Sequence, residues 1–245
     1  MKIQVINPNI TAAMTATIGA AARQVAAPGT TIVATNPTMG PVSIEGHYDE
    51  ALSVIGVLDE IRQGEAVGVD GYVIACFGDP GLRAARELAR GPVVGIAEAA
   101  MHAASLIASR FSIVTTLSRT KVIAQHLVHS YGMERCCASI RATDLAVLDL
   151  EDASGAARAS ILQECRLALK QDEAEAIVLG CGGMADLAIE LTHDLGVPVI
   201  DGVTAGVKFV EALVALGLGT SKVRDFAYPV PKPCGGLLAE FSRGL

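Results

Sequence analysis

The sequence predicts an α/β protein of two similar four-stranded parallel-sheet lobes, related by a pseudo-twofold axis, with the active site in the cleft between them. Three observations carry that prediction. Apolar strand-like runs alternate with segments of helical length along the 245 residues. The runs fall into two sets of four in matching order. The third run of each set ends in a cysteine, Cys76 in Gly71-Tyr72-Val73-Ile74-Ala75-Cys76 and Cys181 in Ala176-Ile177-Val178-Leu179-Gly180-Cys181.

Taken in order, the first set covers residues 2–6, 30–36, 71–76 and 92–96. Helical segments at 48–66 and 79–90 separate its later members. A helix over 97–109 crosses to the second set at 111–116, 137–142, 175–181 and 197–200. Helices over 118–131, 154–171 and 184–195 lie within that set, and one over 203–217 follows it. Strands separated by helices of ten or more residues imply right-handed βαβ crossovers and parallel pairing. A Pro-Val pair follows each cysteine at a similar distance: Pro92-Val93 begins 16 residues past Cys76, and Pro198-Val199 begins 17 past Cys181. A chain that enters the second lobe once can leave it once. The first lobe is therefore expected over 1–96 plus 204–245, and the second over 97–203.

Composition narrows the function classes. Hydrophobic residues make up 51%, enough for a large core, while aromatics are 4%, so small aliphatic side chains must fill it. The net charge of −7, without a basic block, argues against nucleic acid as a partner. No uninterrupted apolar stretch reaches membrane-spanning length, so no membrane partner is expected. Asn7 and Pro8 break the opening apolar run, which therefore does not read as a signal peptide. The six cysteines then read as reduced thiols of a cytoplasmic protein.

Open parallel sheets bind ligands beyond the carboxyl ends of their strands. Four segments project there: Asn7 to Thr11, Cys76 to Asp79, Thr115 to Ser118, and Cys181 to Met184. One thiol at each of two equivalent strand ends predicts one site with two opposed thiols. Such a pair can remove a proton from one face of a carbon and return one to the other. If each sulfur lies roughly 3–3.5 Å from that carbon, the two are about 7 Å apart, far beyond disulfide length. Both cysteines precede an expected helix start, a position that lowers a thiol pKa. Gly182 and Gly183 leave backbone N–H groups bare, able to hold an anion.

Neighbouring side chains constrain the substrate. Phe77, Gly78, Gly182 and Gly183 carry no charge, and Asn9, Thr11, Thr115 and Thr116 are neutral donors and acceptors. No Arg or Lys lies in the four segments, although Arg119 is close by. A neutral planar cyclic amide fits better than a dicarboxylate. Asp79-Pro80 reads as the N-cap and first residue of the helix over 79–90. The loop over 37–47 is either a lid or a Pro/Gly-rich connector, and a second long loop lies around 143–152. Cys136, Cys137, Cys165 and Cys234 lack the strand-end context and read as structural. His126 and His129 lack a third nearby ligand and read as a helix face, so no metal site is expected. No dinucleotide or Walker fingerprint is present, and no cofactor is expected.

Several motifs together resemble one family. They are Val5-Ile6-Asn7-Pro8-Asn9, the segment from Gly40-Pro41-Val42-Ser43-Ile44 to Glu50-Ala51, Cys76-Phe77-Gly78-Asp79-Pro80-Gly81-Leu82, and Gly180-Cys181-Gly182-Gly183-Met184-Ala185. Across essentially the whole chain the sequence looks like the hydantoin/allantoin racemases of the aspartate/glutamate racemase superfamily. The resemblance implies a cofactor-independent homo-oligomeric racemase with Cys76 and Cys181 as its acid/base pair. It implies a cyclic ureide substrate, allantoin or a 5-substituted hydantoin. Asn9, Ile44, Phe77, Gly78, Thr115, Thr116, Gly182 and Gly183 are the expected substrate-binding residues. Amino-acid racemases of the superfamily typically carry Asn-Thr after the first cysteine and Thr-His after the second. Phe77-Gly78 and Gly182-Gly183 stand there instead, which argues against free aspartate or glutamate. The rival readings are a same-fold cysteine-dependent decarboxylase or cis–trans isomerase of arylmalonate or maleate type, and a non-catalytic ureide-binding protein. Decarboxylases of that type keep a single cysteine, and a mere binder needs no matched thiol pair.

Overall fold

The computed structural model describes residues 1–151 and 155–242. Residue 152 of the expected second loop, residue 154 of an expected helix and the last three residues of the first-lobe span lie outside that range. β1 (Lys2–Ile6), β2 (Thr31–Thr35), β3 (Gly71–Ile74) and β4 (Val93–Gly95) form one sheet in the order β2-β1-β3-β4. β5 (Phe111–Thr115), β6 (Cys137–Ala142), β7 (Ala176–Leu179) and β8 (Val199–Ile200) form a second in the order β6-β5-β7-β8. Every pairing is parallel. The two sheets thus repeat one topology, as the two matching sets of runs predict.

Both faces of each sheet are covered, so alternate residues of one strand enter different cores. Ile3, Val5 and Val73 pack with α1 (Ala12–Val25) and α8 (Gly202–Ala215). Ile6, Tyr72 and Ile74 pack with Val57 and Ile61 of α2 (His47–Ala66) and Leu82 of α3 (Leu82–Leu88). In the second lobe, Ile113 and Val178 meet Ala124 and Val128 of α5 (Lys121–Ser130). Val114, Ile177 and Leu179 meet Ile161 of α6 (Ala156–Gln171) and Leu191 of α7 (Ala188–Leu195).

The lobes meet along α4 (Ile96–Ile107), which serves both cores: Ile96 and Ala99 join the first, while Ala97, Ala100, Met101 and Ala104 join the second. The closing helix α8 lies on α4, α1, β3 and β4. A Cβ on its Gly202 would fall 2.2 Å from the Ile96 carbonyl oxygen, so only glycine permits that approach. Asp201 caps α8 by accepting the Thr204 N–H at 2.8 Å. The tail then runs back over the first lobe, with Lys222 donating to the carbonyls of Arg86 at 2.6 Å and Glu87 at 3.0 Å.

Four details differ from the sequence expectation. Helix α1 is absent from that expectation, although its buried Met14, Ile18, Ala21 and Ala22 stand at helical spacing. β3 and β7 each stop two residues before the cysteine. The helix expected from 79 begins at Leu82, since Asp79 (φ 46) and Gly81 (φ 70) are left-handed. The helix expected from 184 opens as a tighter 3₁₀ turn over Gly182–Leu187 before α7. Among the described residues no helix is long and apolar enough to cross a membrane.

Candidate active site

Each cysteine follows the same local construction. Ile6 of the central strand β1 is in register with Ile74, and Ala75 N–H still bonds the Ile6 carbonyl at 2.8 Å. Val114 of the central strand β5 is in register with Leu179, and Gly180 N–H bonds the Val114 carbonyl at 2.8 Å. One residue later each chain leaves its sheet, carrying Cys76 or Cys181. Asp79 N–H closes a turn on the Cys76 carbonyl at 3.0 Å, and Met184 N–H closes the matching turn on the Cys181 carbonyl at 3.2 Å.

Both cysteines line one small cavity of ≈ 50 Å³. The first lobe contributes Asn9, Ile44, Cys76, Phe77 and Gly78, and the second contributes Thr115, Thr116, Cys181 and Gly182. Gly183 and Thr11, singled out in the sequence, do not line it. Gly183 instead stands beside the Cys181 sulfur, 3.8 Å from where its Cβ would be, as Gly78 stands beside the Cys76 sulfur at 3.9 Å. Thr11 donates to the Val42 carbonyl at 2.6 Å and so anchors the 37–47 loop. The loops bearing the two thiols abut: a Cβ on Gly182 would lie 2.7 Å from the Ala75 carbonyl oxygen.

The electrostatics reverse one expectation. Neither thiol is lowered; burial against apolar walls pushes both up, Cys181 to about 11 and Cys76 further. The N–H groups of Gly78 and Gly183 act in the opposite sense and are outweighed. Cys76 faces more negative charge, from Cys181, Asp79 and Glu50, whereas Cys181 faces Glu45. All six cysteines are free, and both site cysteines are half-buried.

Asp79 is a cap, but of a different helix than the sequence suggests. Its carboxylate accepts the N–H groups of Ala97 at 3.0 Å and Glu98 at 2.9 Å in the first turn of α4. It also accepts the Tyr131 hydroxyl at 2.7 Å from the end of α5. One buried side chain thus ties the Cys76 turn to the crossover helix and to the second lobe. Burial raises this carboxyl to about 7 against its three donors. Gly95 makes room, since a Cβ there would fall 2.2 Å from the Asp79 carboxyl carbon.

The cavity also takes residues that sequence reasoning missed: Met14, Glu50, Thr120, Ile123 and Val147. The 37–47 loop brings some of them together. Glu45 accepts the Val147 N–H at 3.0 Å, and His47 stacks on His126 with 6.4 Å between ring centroids, so the segment reaches across to the second lobe. In sequence, Asp49-Glu50 reads as the acidic end of the 37–47 connector, supporting the start of the following helix. Arg119 lies against Gly46 rather than in the cavity.

Comparison with known proteins agrees with this architecture. The family described as Asp/Glu/Hydantoin racemase matches residues 3–210. The chain is 54% identical to a hydantoin racemase of Pseudomonas sp. (strain NS671), over 99% of this chain and 98% of that one. It superposes on an allantoin racemase from Klebsiella pneumoniae with a TM-score of 0.98 and 61% identity, covering 99% of both chains. An arylmalonate decarboxylase shares the fold alone, with a TM-score of 0.63 and 18% identity over 92% of this chain and 97% of that one. A two-lobed α/β chain with this site and these relatives belongs to the Asp/Glu/hydantoin racemase family and is an isomerase of the racemase type.

Proposed function

We propose that the protein racemises a cyclic ureide, allantoin or a 5-substituted hydantoin, by passing a proton between the two faces of the stereocentre with Cys76 and Cys181. The observation that carries this reading is that Cys76 and Cys181 line one cavity from equivalent positions after the third strands of the two sheets, each with its sulfur beside a glycine. The reading treats 1–96 with 204–245 as one lobe and 97–203 as the other, so each lobe supplies one base.

In one direction, a thiolate takes the proton from the carbon between carbonyl and nitrogen. The electron pair delocalises onto the carbonyl as an enolate, and the opposite thiol delivers its proton to the other face. The pair ends with its protonation reversed and returns to its starting state by exchange with solvent. The raised thiol pKa values serve this step, since a base closer in strength to a carbon acid meets a smaller uphill proton transfer. The cost is a scarce thiolate near neutral pH. The Gly78 and Gly183 N–H groups favour that anion when it forms, against the apolar wall that disfavours it. Asn9, Ile44, Phe77, Gly78, Thr115, Thr116 and Gly182 are the surfaces offered to the ring, and Gly183 acts through the Cys181 sulfur. The homo-oligomeric state and cytoplasmic location that the family resemblance implies belong to this proposal as well.

The test is incubation in D₂O with enantiopure allantoin and, separately, an enantiopure 5-alkylhydantoin. Optical signal and deuterium at the stereocentre are followed together, against a blank without protein. Rapid loss of optical signal with deuterium entry supports the reading, and the faster substrate identifies the class. No exchange with either ureide, from folded and reduced protein, removes it in favour of the decarboxylase or cis–trans isomerase alternative.

A further inference from the structure

We infer that Glu50 is a specificity-determining residue, whose carboxylate accepts a hydrogen bond from an N–H bonded to the substrate's stereocentre. This rests on the ureide reading above and adds to it the group on the ligand that the protein selects. Glu50 sits at the start of α2 and lines the cavity. Its carboxyl carbon lies 4.0 Å from where a Cβ on Gly78 would stand, beside the turn that carries Cys76. Its charge acts on the Cys76 thiol. It is the only charged side chain among the described residues lining the cavity.

Three of the other polar side chains lining the cavity are engaged inward. Thr115 donates its hydroxyl proton to the Gly180 carbonyl at 3.1 Å, and Thr120 donates to Leu117 at 2.8 Å. The Asn9 side-chain oxygen accepts from Asn7 and from Thr11 N–H, both at 2.9 Å. Glu50 has one side-chain partner, His47 Nδ1 at 3.5 Å, with 28% of its side chain exposed. A carboxylate only accepts hydrogen bonds. It therefore calls for a donor, and it repels an anionic ligand. A cyclic ureide has a ring N–H on the stereocentre, and allantoin adds an N–H-rich arm at the same carbon. Because Cys76 must reach that carbon, its neighbour Glu50 is in position to read the N–H attached to it.

The experiment is a cycle between residue and substrate. Wild type and Glu50→Gln are assayed with whichever enantiopure ureide, allantoin or a 5-alkylhydantoin, reacts faster, and with its derivative methylated on the ring nitrogen next to the stereocentre. Steric effects of the methyl group common to both proteins cancel. Glu50→Gln should lose on the order of ten- to a hundredfold in kcat/KM on the parent, mostly as raised KM, the worth of one hydrogen bond to a charged group. Wild type should lose as much on methylation, and the variant should lose little more. Glu50→Asp, which keeps the charge, should recover part of the loss, separating charge from folding damage. Losses that simply add, or a variant indistinguishable from wild type, overturn the role of Glu50 while leaving racemisation intact. A wild type inactive on the parent ureide removes the ureide reading and this inference with it.

Discussion

The turns bearing Cys76 and Cys181 occupy the same place in two identical sheet topologies, yet they are built differently. After Cys76 the chain makes a left-handed residue at Asp79, spends that side chain on α4 and Tyr131, and begins α3 only at Leu82. After Cys181 it enters a 3₁₀ turn at once. Burial pushes both thiols up, Cys181 to about 11 and Cys76 further, with Asp79 and Glu50 adding to the rise at Cys76. The two cysteines thus stand in matching places, while the turns that follow them and the carboxylates around them differ. The product mirrors the substrate, so the overall equilibrium constant is one and kcat/KM must be equal in both directions. The asymmetry can appear only as compensating differences in kcat and KM between enantiomers.

Four outcomes break or sharpen this comparison. The largest concerns the thiols themselves. Cys76→Ser and Cys181→Ser should each lower racemisation by roughly 10² to 10⁴-fold, the usual contribution of a positioned acid or base, measured by polarimetry. Retention of near-full activity by either would mean that one sulfur is not a base.

The glycines after Cys181 come next. Gly182→Ala drives a Cβ to 2.7 Å from the Ala75 carbonyl oxygen, so the two thiol-bearing loops must separate. A loss of roughly tenfold or more in kcat is expected from that displacement. Gly183→Ala meets the tip of Leu150 at 3.2 Å, a side chain able to yield, and should keep most activity. Equal effects would show that the contact between the loops does not set the distance between the sulfurs.

Asp79 has no counterpart beside Cys181. Asp79→Ala removes a buried cap and strands the Tyr131 hydroxyl, which should cost about 2–4 kcal/mol in a denaturant titration. A second lever is pH. Burial raises this carboxyl to about 7, so between pH 4 and 7 the folded protein binds the proton more tightly than the unfolded chain. Its contribution is fully present below pH 4 and lost as pH rises through about 7. Asp79→Asn should flatten that part of the stability–pH curve; an unchanged slope would place the titration elsewhere.

The smallest effect is on the activity profile. Both thiols are raised, so kcat/KM should climb steadily from pH 6 toward pH 10 without a plateau near neutrality. A plateau already reached at pH 7 would mean that one thiol of the free enzyme ionises below neutrality, against the raised values expected from burial.

Much of this was readable in the sequence because it is local and repeated. The run ending in Cys76 and the run ending in Cys181 announce two sheets, their shared order and the paired thiols. The rest depends on contacts between distant segments. Asp79 looks like the cap of the helix that follows it, and only the fold places the start of α4 against it. Glu50 reads as a charge favouring the start of α2 until the 37–47 loop carries that helix end over the cavity. Val147 comes from an irregular segment without a periodic signal, whereas Met14 lies on a helical apolar face, and only the fold turns that face toward the cavity. The direction of the thiol shift was misread because a following helix is visible in sequence, whereas the apolar wall that outweighs it is assembled from both lobes.

The most direct test of two opposed bases is single-thiol exchange. Each Cys→Ser variant is incubated in D₂O with each enantiomer of the faster ureide, and deuterium at the stereocentre is measured without inversion. The account predicts that each variant exchanges one enantiomer only, and that the two variants choose opposite ones. Exchange of both enantiomers by one variant, or of the same enantiomer by both, would contradict it.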